Sequence, residues 1–129
     1  MTGIKTTQDA LNLWQRVVSS SLRELPYDLS QRQTAVLLAV YMTPPPHMVR
    51  SLSTTLNVSK PAICRAVDVL SRLDLVRRKK DEADRRNVLL QRTVNGSVFL
   101  RDFADLVLRE SNQLLQELNN TASATAPTQ

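Results

Sequence analysis

The chain has 129 residues, of which 42% are hydrophobic, and this suffices for one domain with a hydrophobic core. Two glycines and few aromatic residues argue against a β-sandwich or barrel and favour a mainly α-helical fold. The formal net charge is +5, and residues 50–101 concentrate it, with 12 Lys or Arg against 5 Asp or Glu. Positive charge gathered in one segment is typical of a module that meets a polyanion.

The composition also excludes several kinds of chemistry. One cysteine and one histidine cannot form an internal disulfide or the usual structural zinc site. The sequence lacks a signal-peptide segment, and no apolar run approaches the ~18 residues of a membrane span, so we expect a cytoplasmic protein that binds no membrane. No phosphate-binding glycine loop, nucleophile–histidine pair or carboxylate cluster is recognisable, so we expect neither enzymatic activity nor a cofactor nor a metal.

A first helix is predicted over about residues 8–25, with Thr6 or Thr7 as its cap. Apolar residues recur along it every three or four positions and form one stripe. The stripe consists of Leu11, Trp14, Val18, Leu22 and Leu25.

A second helix is predicted over about residues 31–42, because Ser30 and Gln33 have the spacing of a capping box. Its nearly continuous apolar sequence indicates burial on more than one side. Three prolines at 44–46 then break the chain. We expect His47, which follows them, to be an exposed loop residue.

A helix-turn-helix is predicted next, with a third helix of about 48–56, a turn at 57–59 and a fourth helix of about 60–73. On a helical wheel the fourth helix has an apolar side and an opposite polar side. The first turns of the polar side would enter a major groove of DNA. The candidate DNA-contacting residues on this helix and at its cap are Ser59, Lys60, Pro61, Cys64, Arg65 and Arg72.

Within this motif, Arg65 is the best candidate for reading a guanine, because a guanidinium can donate to both O6 and N7. The alternative is an exposed arginine that touches only phosphate or water. Arg50 and Thr54, together with Lys60, are candidate phosphate contacts. Cys64 could sense oxidants, but without a second cysteine it is better interpreted as a small packing residue.

A two-stranded ribbon with a charged tip is predicted over about 76–80 and 87–92. Four basic residues, 77–80, alternate along its first strand, so only one pair can face DNA. The sequence does not decide which pair, and we take Arg78 and Lys80 as candidates.

At the tip of the ribbon, an arginine could enter a minor groove. Arg85 and Arg86 compete for this position. Asp84 is better suited to hold an arginine rigid than to read a base, because phosphates repel a carboxylate.

A long helix of about 94–118 is predicted after a cap at Thr93, and its apolar residues repeat every seven positions. The tail at 119–129 is rich in Thr, Ala, Ser and Pro and is predicted to be disordered. The prediction is thus a single domain over 1–129, mainly α with a small β-ribbon.

Several of these segments resemble the MarR family of winged-helix transcriptional regulators. Leu29–Leu37 resembles the start of the family's second helix, and Leu56–Ile63 resembles its helix-turn-helix turn. Leu70–Arg78 resembles the run into its wing. Asp81–Arg86 is similar to the family's wing signature, and Thr93–Gly96 is similar to the start of its long helix.

The resemblance implies a homodimeric repressor that binds a pseudo-palindromic operator in double-stranded DNA. Residues 30–92 would form the DNA-binding winged helix-turn-helix, with recognition helices in major grooves and wings in minor grooves. Arg86 would enter the minor groove with Asp84 as its buttress. The helices at 8–25 and 94–118 would dimerise through Leu11, Trp14, Val18, Leu100, Val107, Leu114 and Leu118.

The sequence also departs from the family pattern. Asp74 stands where the family usually has glycine, Arg92 replaces a usual leucine, and the C-terminal segment is short. Many family members release DNA when a small, often aromatic, anion binds. Trp14, Tyr41 and Arg16 are candidates to line such a site, although packing is the simpler role for the two aromatic residues.

One alternative function remains, a winged-helix protein-interaction module that antagonises another regulator and has no DNA site of its own. The strongly basic segment favours DNA, since protein interfaces rarely need that charge. Binding to duplex DNA with a steep salt dependence distinguishes the two functions.

Overall fold

The computed structural model describes residues 3–125, and it describes side chains as far as residue 121. The chain divides into two compact units, whereas the sequence predicted a single domain. One unit is Leu29–Leu100; the other combines the segment up to Asp28 with the segment from Arg101 onward. The elements in chain order are α1 (Thr7–Glu24), α2 (Gln31–Met42), α3 (Val49–Leu56), α4 (Lys60–Arg72), β1 (Val76–Lys80), β2 (Val88–Arg92) and α5 (Val94–Thr125).

Capping boxes start the first two helices. The Thr6 hydroxyl accepts a hydrogen bond from the Asp9 backbone N–H, and the Asp9 carboxylate accepts one in return from the Thr6 N–H. Ser30 and Gln33 form the same reciprocal pair at the start of α2, as the sequence predicted. Each box satisfies two backbone donors that a helix would otherwise leave open.

The core of the unit 29–100 is aliphatic except for Phe99. Leu52 of α3 and the inner side of α4 contribute to it, and so does the wing. On α2, Val36, Leu37 and Val40 are all buried, which confirms the prediction of a helix covered on more than one side.

The wing is an antiparallel hairpin in which Val76 pairs with Arg92 and Lys80 pairs with Val88. A short third segment joins it, because Met48 forms a bridge with Leu89. The expectation of an exposed His47 was wrong. Its carbonyl accepts a hydrogen bond from the Leu90 N–H at 2.8 Å, and the pairing with β2 buries the residue to 6% exposure.

A close approach of backbone and side chain fixes the start of α5. The Thr93 hydroxyl accepts from the Gly96 N–H at 2.9 Å, and the Tyr41 hydroxyl donates to the Leu75 carbonyl at 2.7 Å. A Cβ at Gly96 would collide with that same hydroxyl and carbonyl. The position therefore requires glycine for lack of space, and its φ is not positive.

The C-terminal helix is longer than predicted. It runs to Thr125, so the prediction of a disordered tail was wrong for residues 119–125, while 126–129 lie outside the described residues. Extending an existing helix adds one hydrogen bond for each residue fixed, whereas starting one is costly. Poor helix formers can therefore follow a strong helix without breaking it.

In the unit formed by the terminal segments, ion pairs also link α1 to α5. Both terminal guanidinium nitrogens of Arg109 donate to the Glu24 carboxylate, at 2.7 and 2.6 Å, and Arg16 pairs with Glu117. Leu114 is 1% exposed inside the protomer, which corrects its assignment to a dimer surface. Among the described residues, no helix is both long and apolar enough to cross a membrane.

Candidate nucleic-acid interface

The fourth helix separates its residues by side, as the helical wheel predicted. Its inner side is at most 5% exposed and comprises Ala62, Ile63, Ala66, Val67 and Leu70. Its outer side is exposed and comprises Lys60, Pro61, Cys64, Arg65, Asp68 and Arg72. The burial of one side fixes the orientation of the other, so α4 presents a polar, mainly cationic surface.

The turn before α4 is held by local hydrogen bonds. Asn57 ends α3 in the left-handed conformation, with φ of 54°, and the Val58 N–H donates to the Ser53 carbonyl at 3.1 Å. The Ser59 hydroxyl then accepts from the Ala62 N–H at 3.3 Å and caps α4. Asparagine tolerates the left-handed region better than most residues, which suits it to this position.

The predicted phosphate contacts are exposed on α3 and at the start of α4. Arg50 also donates to the Asn87 side-chain oxygen at 2.9 Å, which links α3 to the wing loop. Thr54 is exposed and donates to the Arg50 carbonyl at 3.3 Å. Lys60 is exposed. Arg50 therefore enters any complex with its position already restrained.

The base of the wing is joined to α4. Arg78 of β1 forms an ion pair with Asp68 and donates to the Cys64 carbonyl at 3.5 Å. Lys80, on the same face of the strand, is exposed. The sequence did not indicate the pairing with Asp68, because a contact between a helix and a strand ten residues apart leaves no local pattern.

The tip of the wing carries one braced arginine. Arg86 donates from Nε and from a terminal nitrogen to the two oxygens of Asp84, at 3.1 and 3.2 Å. Its own backbone N–H also donates to Asp84, at 3.1 Å. The hydrogen bonds from the Arg86 side chain have the larger effect and that from its backbone N–H the smaller one, and together they hold the pKa of the Asp84 carboxyl below its usual value. Arg85 is exposed, and it is Arg86 that Asp84 holds, as the resemblance implied.

Two features of this surface were missed or misread from the sequence. Cys64 is exposed on the outer side of α4, so its interpretation as a packing residue was wrong. A groove of about 690 Å³ lies between the start of α2 and the flank of α4. It contains Arg32 and Arg65, and no carboxylate is among its lining residues. Arg32 stands alone in a non-basic stretch of sequence, which gave no signal of its position.

The fold and this surface are those of a winged helix-turn-helix protein. Residues 27–87 match the model of the MarR family, so the winged helix-turn-helix segment of this chain is similar to that family. This confirms the resemblance seen in the sequence. A search of curated proteins finds no match to the chain.

Several solved structures share the fold. A mutant of S. aureus MepR bound to an oligodeoxyribonucleotide has 18% sequence identity and a TM-score of 0.73, with 93% of each chain covered. The transcriptional repressor CouR, bound to a 23-mer DNA duplex, has 24% identity and a TM-score of 0.68 over 91% of this chain and 81% of that one. Bordetella bronchiseptica BpsR, whose DNA binding is regulated by 6-hydroxynicotinic acid, has 19% identity and a TM-score of 0.58 over 81% and 80%. The chain therefore has the winged helix-turn-helix fold that these structures share.

Proposed function

We propose that the protein is a homodimeric, sequence-specific transcriptional repressor that binds a pseudo-palindromic operator. The observation that carries the proposal is the combination of an exposed cationic side on α4 with a braced arginine at the wing tip. The first turns of α4 would enter a major groove, and the wing tip would reach the adjacent minor groove. Arg78 is paired with Asp68 and is therefore not proposed as a contact. The proposed contacts are Arg50, Thr54, Ser59, Lys60, Pro61, Cys64, Arg65, Arg72, Lys80, Asp84, Arg85 and Arg86.

The wing tip is suited to a minor groove because its arginine is pre-organised. The Arg86 side chain is 89% exposed, yet its guanidinium is held at two atoms by Asp84. A side chain that is already ordered loses less conformational entropy on binding. The remaining guanidinium N–H groups can donate to base edges or phosphates.

Arg65 is proposed as the base-reading residue of α4. It lies one helical turn after Pro61 on the outer side, and it also lines the groove beside Arg32. A guanidinium matches the two acceptors of a guanine in the major groove. Lys60 and Arg50 would set the register on phosphates without carrying sequence information.

Dimerisation is proposed because α1 leaves an apolar stripe uncovered in the protomer. Leu11, Trp14 and Leu22 are 62%, 63% and 59% exposed, and Val18 is 41% exposed. These residues lie on one side of the helix at intervals of three and four. Contiguous exposed apolar side chains of this kind mark an interaction surface, and a second copy of the chain supplies the same stripe.

A small aromatic effector is proposed as a further partner, on the strength of the fold shared with BpsR. Two of the side chains considered for its site are already engaged. The Tyr41 hydroxyl is bonded to the Leu75 carbonyl and the Thr93 N–H, and Arg16 is paired with Glu117. Trp14, the third side chain considered, is exposed. Its fluorescence would therefore report binding of 6-hydroxynicotinic acid as a test compound.

Selection of bound duplexes from a random library tests the proposal as a whole. We expect an enriched inverted repeat with half-sites about one helical turn apart, bound with an affinity that falls steeply with salt. Salt-sensitive binding without an enriched motif would contradict sequence specificity. No binding at low salt would instead support the protein-interaction module.

A further inference from the structure

A carboxylate stands in the middle of the proposed DNA-contacting side of α4. Asp68 is the one acidic residue in the sequence of this helix, and its side chain is 56% exposed. Arg65 precedes it by about one turn and Arg72 follows it by about one turn on the same side. A negative charge in this place repels every phosphate that approaches, whatever the base sequence.

The same carboxylate is the partner of a wing residue. Arg78 of β1 forms an ion pair with Asp68, and its guanidinium also donates to the Cys64 carbonyl at 3.5 Å. One arginine thus connects the first strand of the wing to two successive turns of α4. The two elements that would enter neighbouring grooves are joined at this point.

The ion pair between Arg78 and Asp68 contributes little to the stability of the fold. Both side chains are well exposed, at 40% for Arg78 and 56% for Asp68. Ion pairs exposed to water contribute little to the free energy of unfolding. The consequence of the pair lies instead in charge and in geometry: it neutralises Arg78 and sets the position of the wing relative to α4.

We propose that Asp68 is a positioning residue that increases the discrimination of an operator from other DNA. It holds Arg78, and so keeps Arg78 from acting as a free phosphate contact on any duplex. It also holds the base of the wing against α4, so that Arg65 and Arg86 meet an operator at a fixed spacing. The inference rests on the proposed DNA-binding function.

Asp68→Asn tests the proposal, because it retains the shape of the side chain and removes its charge. Affinity for a random-sequence duplex and for the selected operator would be measured by fluorescence anisotropy over a range of salt concentrations. We expect the variant to bind the random duplex about fivefold more tightly, as the release of one charge near phosphates implies. Its salt slope on that duplex should steepen by about 0.9, because Arg78 becomes available to one more phosphate.

On the operator, we expect the same or weaker binding by Asp68→Asn, so the ratio of the two affinities falls at least about fivefold. Loss of affinity on both duplexes would mean a merely structural role and would overturn the proposal. Asp102→Asn is the matched control, because it makes the same change of net charge at an exposed residue of the other unit. An equal gain in that control would attribute the effect to net charge and would also overturn the proposal.

Arg78→Gln provides an independent test in the opposite direction. It leaves Asp68 without its partner, so binding to the random duplex should weaken. The double variant Asp68→Asn/Arg78→Gln should return that affinity to near the wild-type value. A double variant as weak as Arg78→Gln alone would contradict the proposal. Failure of the wild-type protein to bind either duplex would overturn the proposed function itself, and is distinguishable from all these results.

Discussion

At the scale of the residue, the left-handed conformation of Asp74 explains why glycine is usual at this position. Its φ is 57°, a value that costs most side chains about 1–2 kcal/mol and costs glycine nothing. The turn is kept despite the substitution, and the Asp74 carbonyl accepts a hydrogen bond from the Thr93 hydroxyl at 2.7 Å. Aspartate is one of the few residues that tolerate this region.

Asp74→Gly is therefore expected to stabilise the protein slightly, and Asp74→Ala to destabilise it. The two variants should differ by about 1–2 kcal/mol in the free energy of unfolding. The loss of the ion pair with Arg77 is common to both and is small, since the pair is exposed and 3.8 Å long. Chemical denaturation of the wild type and both variants measures the order of their free energies of unfolding. Equal stability of the glycine and alanine variants would contradict the prediction.

His47 is the second residue with a distinct physical consequence. Burial lowers the pKa of its imidazole, the positive charge of Arg92 lowers it further, and a hydrogen bond with the Thr43 backbone opposes both. Its Nε2 is buried without a hydrogen-bond partner. The neutral imidazole is therefore the form that the fold accommodates.

Stability is expected to fall in mild acid because of this histidine. In the unfolded chain its pKa is near ~6.5, and in the fold it is lower, so the unfolded state binds more protons below that pH. The contribution of the neutral imidazole to stability is complete above a pH of about 6.5 and is lost as the pH falls towards the folded-state pKa of His47. Between pH 7.5 and 5.5, the midpoint temperature of thermal unfolding should fall less in His47→Gln than in the wild type. Parallel curves would show that other groups cause the decline.

At the scale of the element, the sequence located an element correctly where the residues that determine it lie close together in the chain. The bounds of α2 agree with the prediction because the Ser30 and Gln33 box lies within four residues. The strands of the wing were also located, from a basic run and an aliphatic run on either side of a charged turn. The end of α5 was misplaced, because helix propagation depends on what precedes a residue as well as on its own preference.

The wing tip offers a prediction that separates two neighbouring arginines. Arg86→Ala should weaken operator binding by roughly 1–3 kcal/mol if it is a groove contact, because its braced guanidinium would be lost. Arg85→Ala removes the same charge one residue away and should have the smaller effect, since Asp84 braces Arg86. Anisotropy titrations of both variants against the operator measure this, and equal losses would show that charge alone matters at the tip.

At the scale of the whole molecule, the proposed dimer depends on the exposed stripe of α1. Leu22→Glu should give monomers, because a charge within an apolar interface is costly to bury. It should leave the protomer folded, since Leu22 is 59% exposed there. Gln91→Glu, at an exposed residue of β2 in the other unit, is the matched control.

Light scattering after size-exclusion chromatography measures the mass of each variant in this experiment. The emission of Trp14, the one tryptophan of the chain, should shift to the blue as wild-type protein is concentrated, because dimerisation would bury it. A wild-type protein that stays monomeric throughout, or a Leu22→Glu variant that stays dimeric, would remove α1 from the interface.

The sequence by itself determined the order of the elements, the winged helix-turn-helix and the side of α4 that faces outward. These follow from periodicity, caps and turn residues, whose causes lie within a few positions of one another. Only the tertiary structure decided that His47 is buried, that Leu114 packs inside the protomer, and that Arg78 pairs with Asp68. Each of these depends on residues far apart in the chain meeting in the fold, and no local pattern records such a meeting.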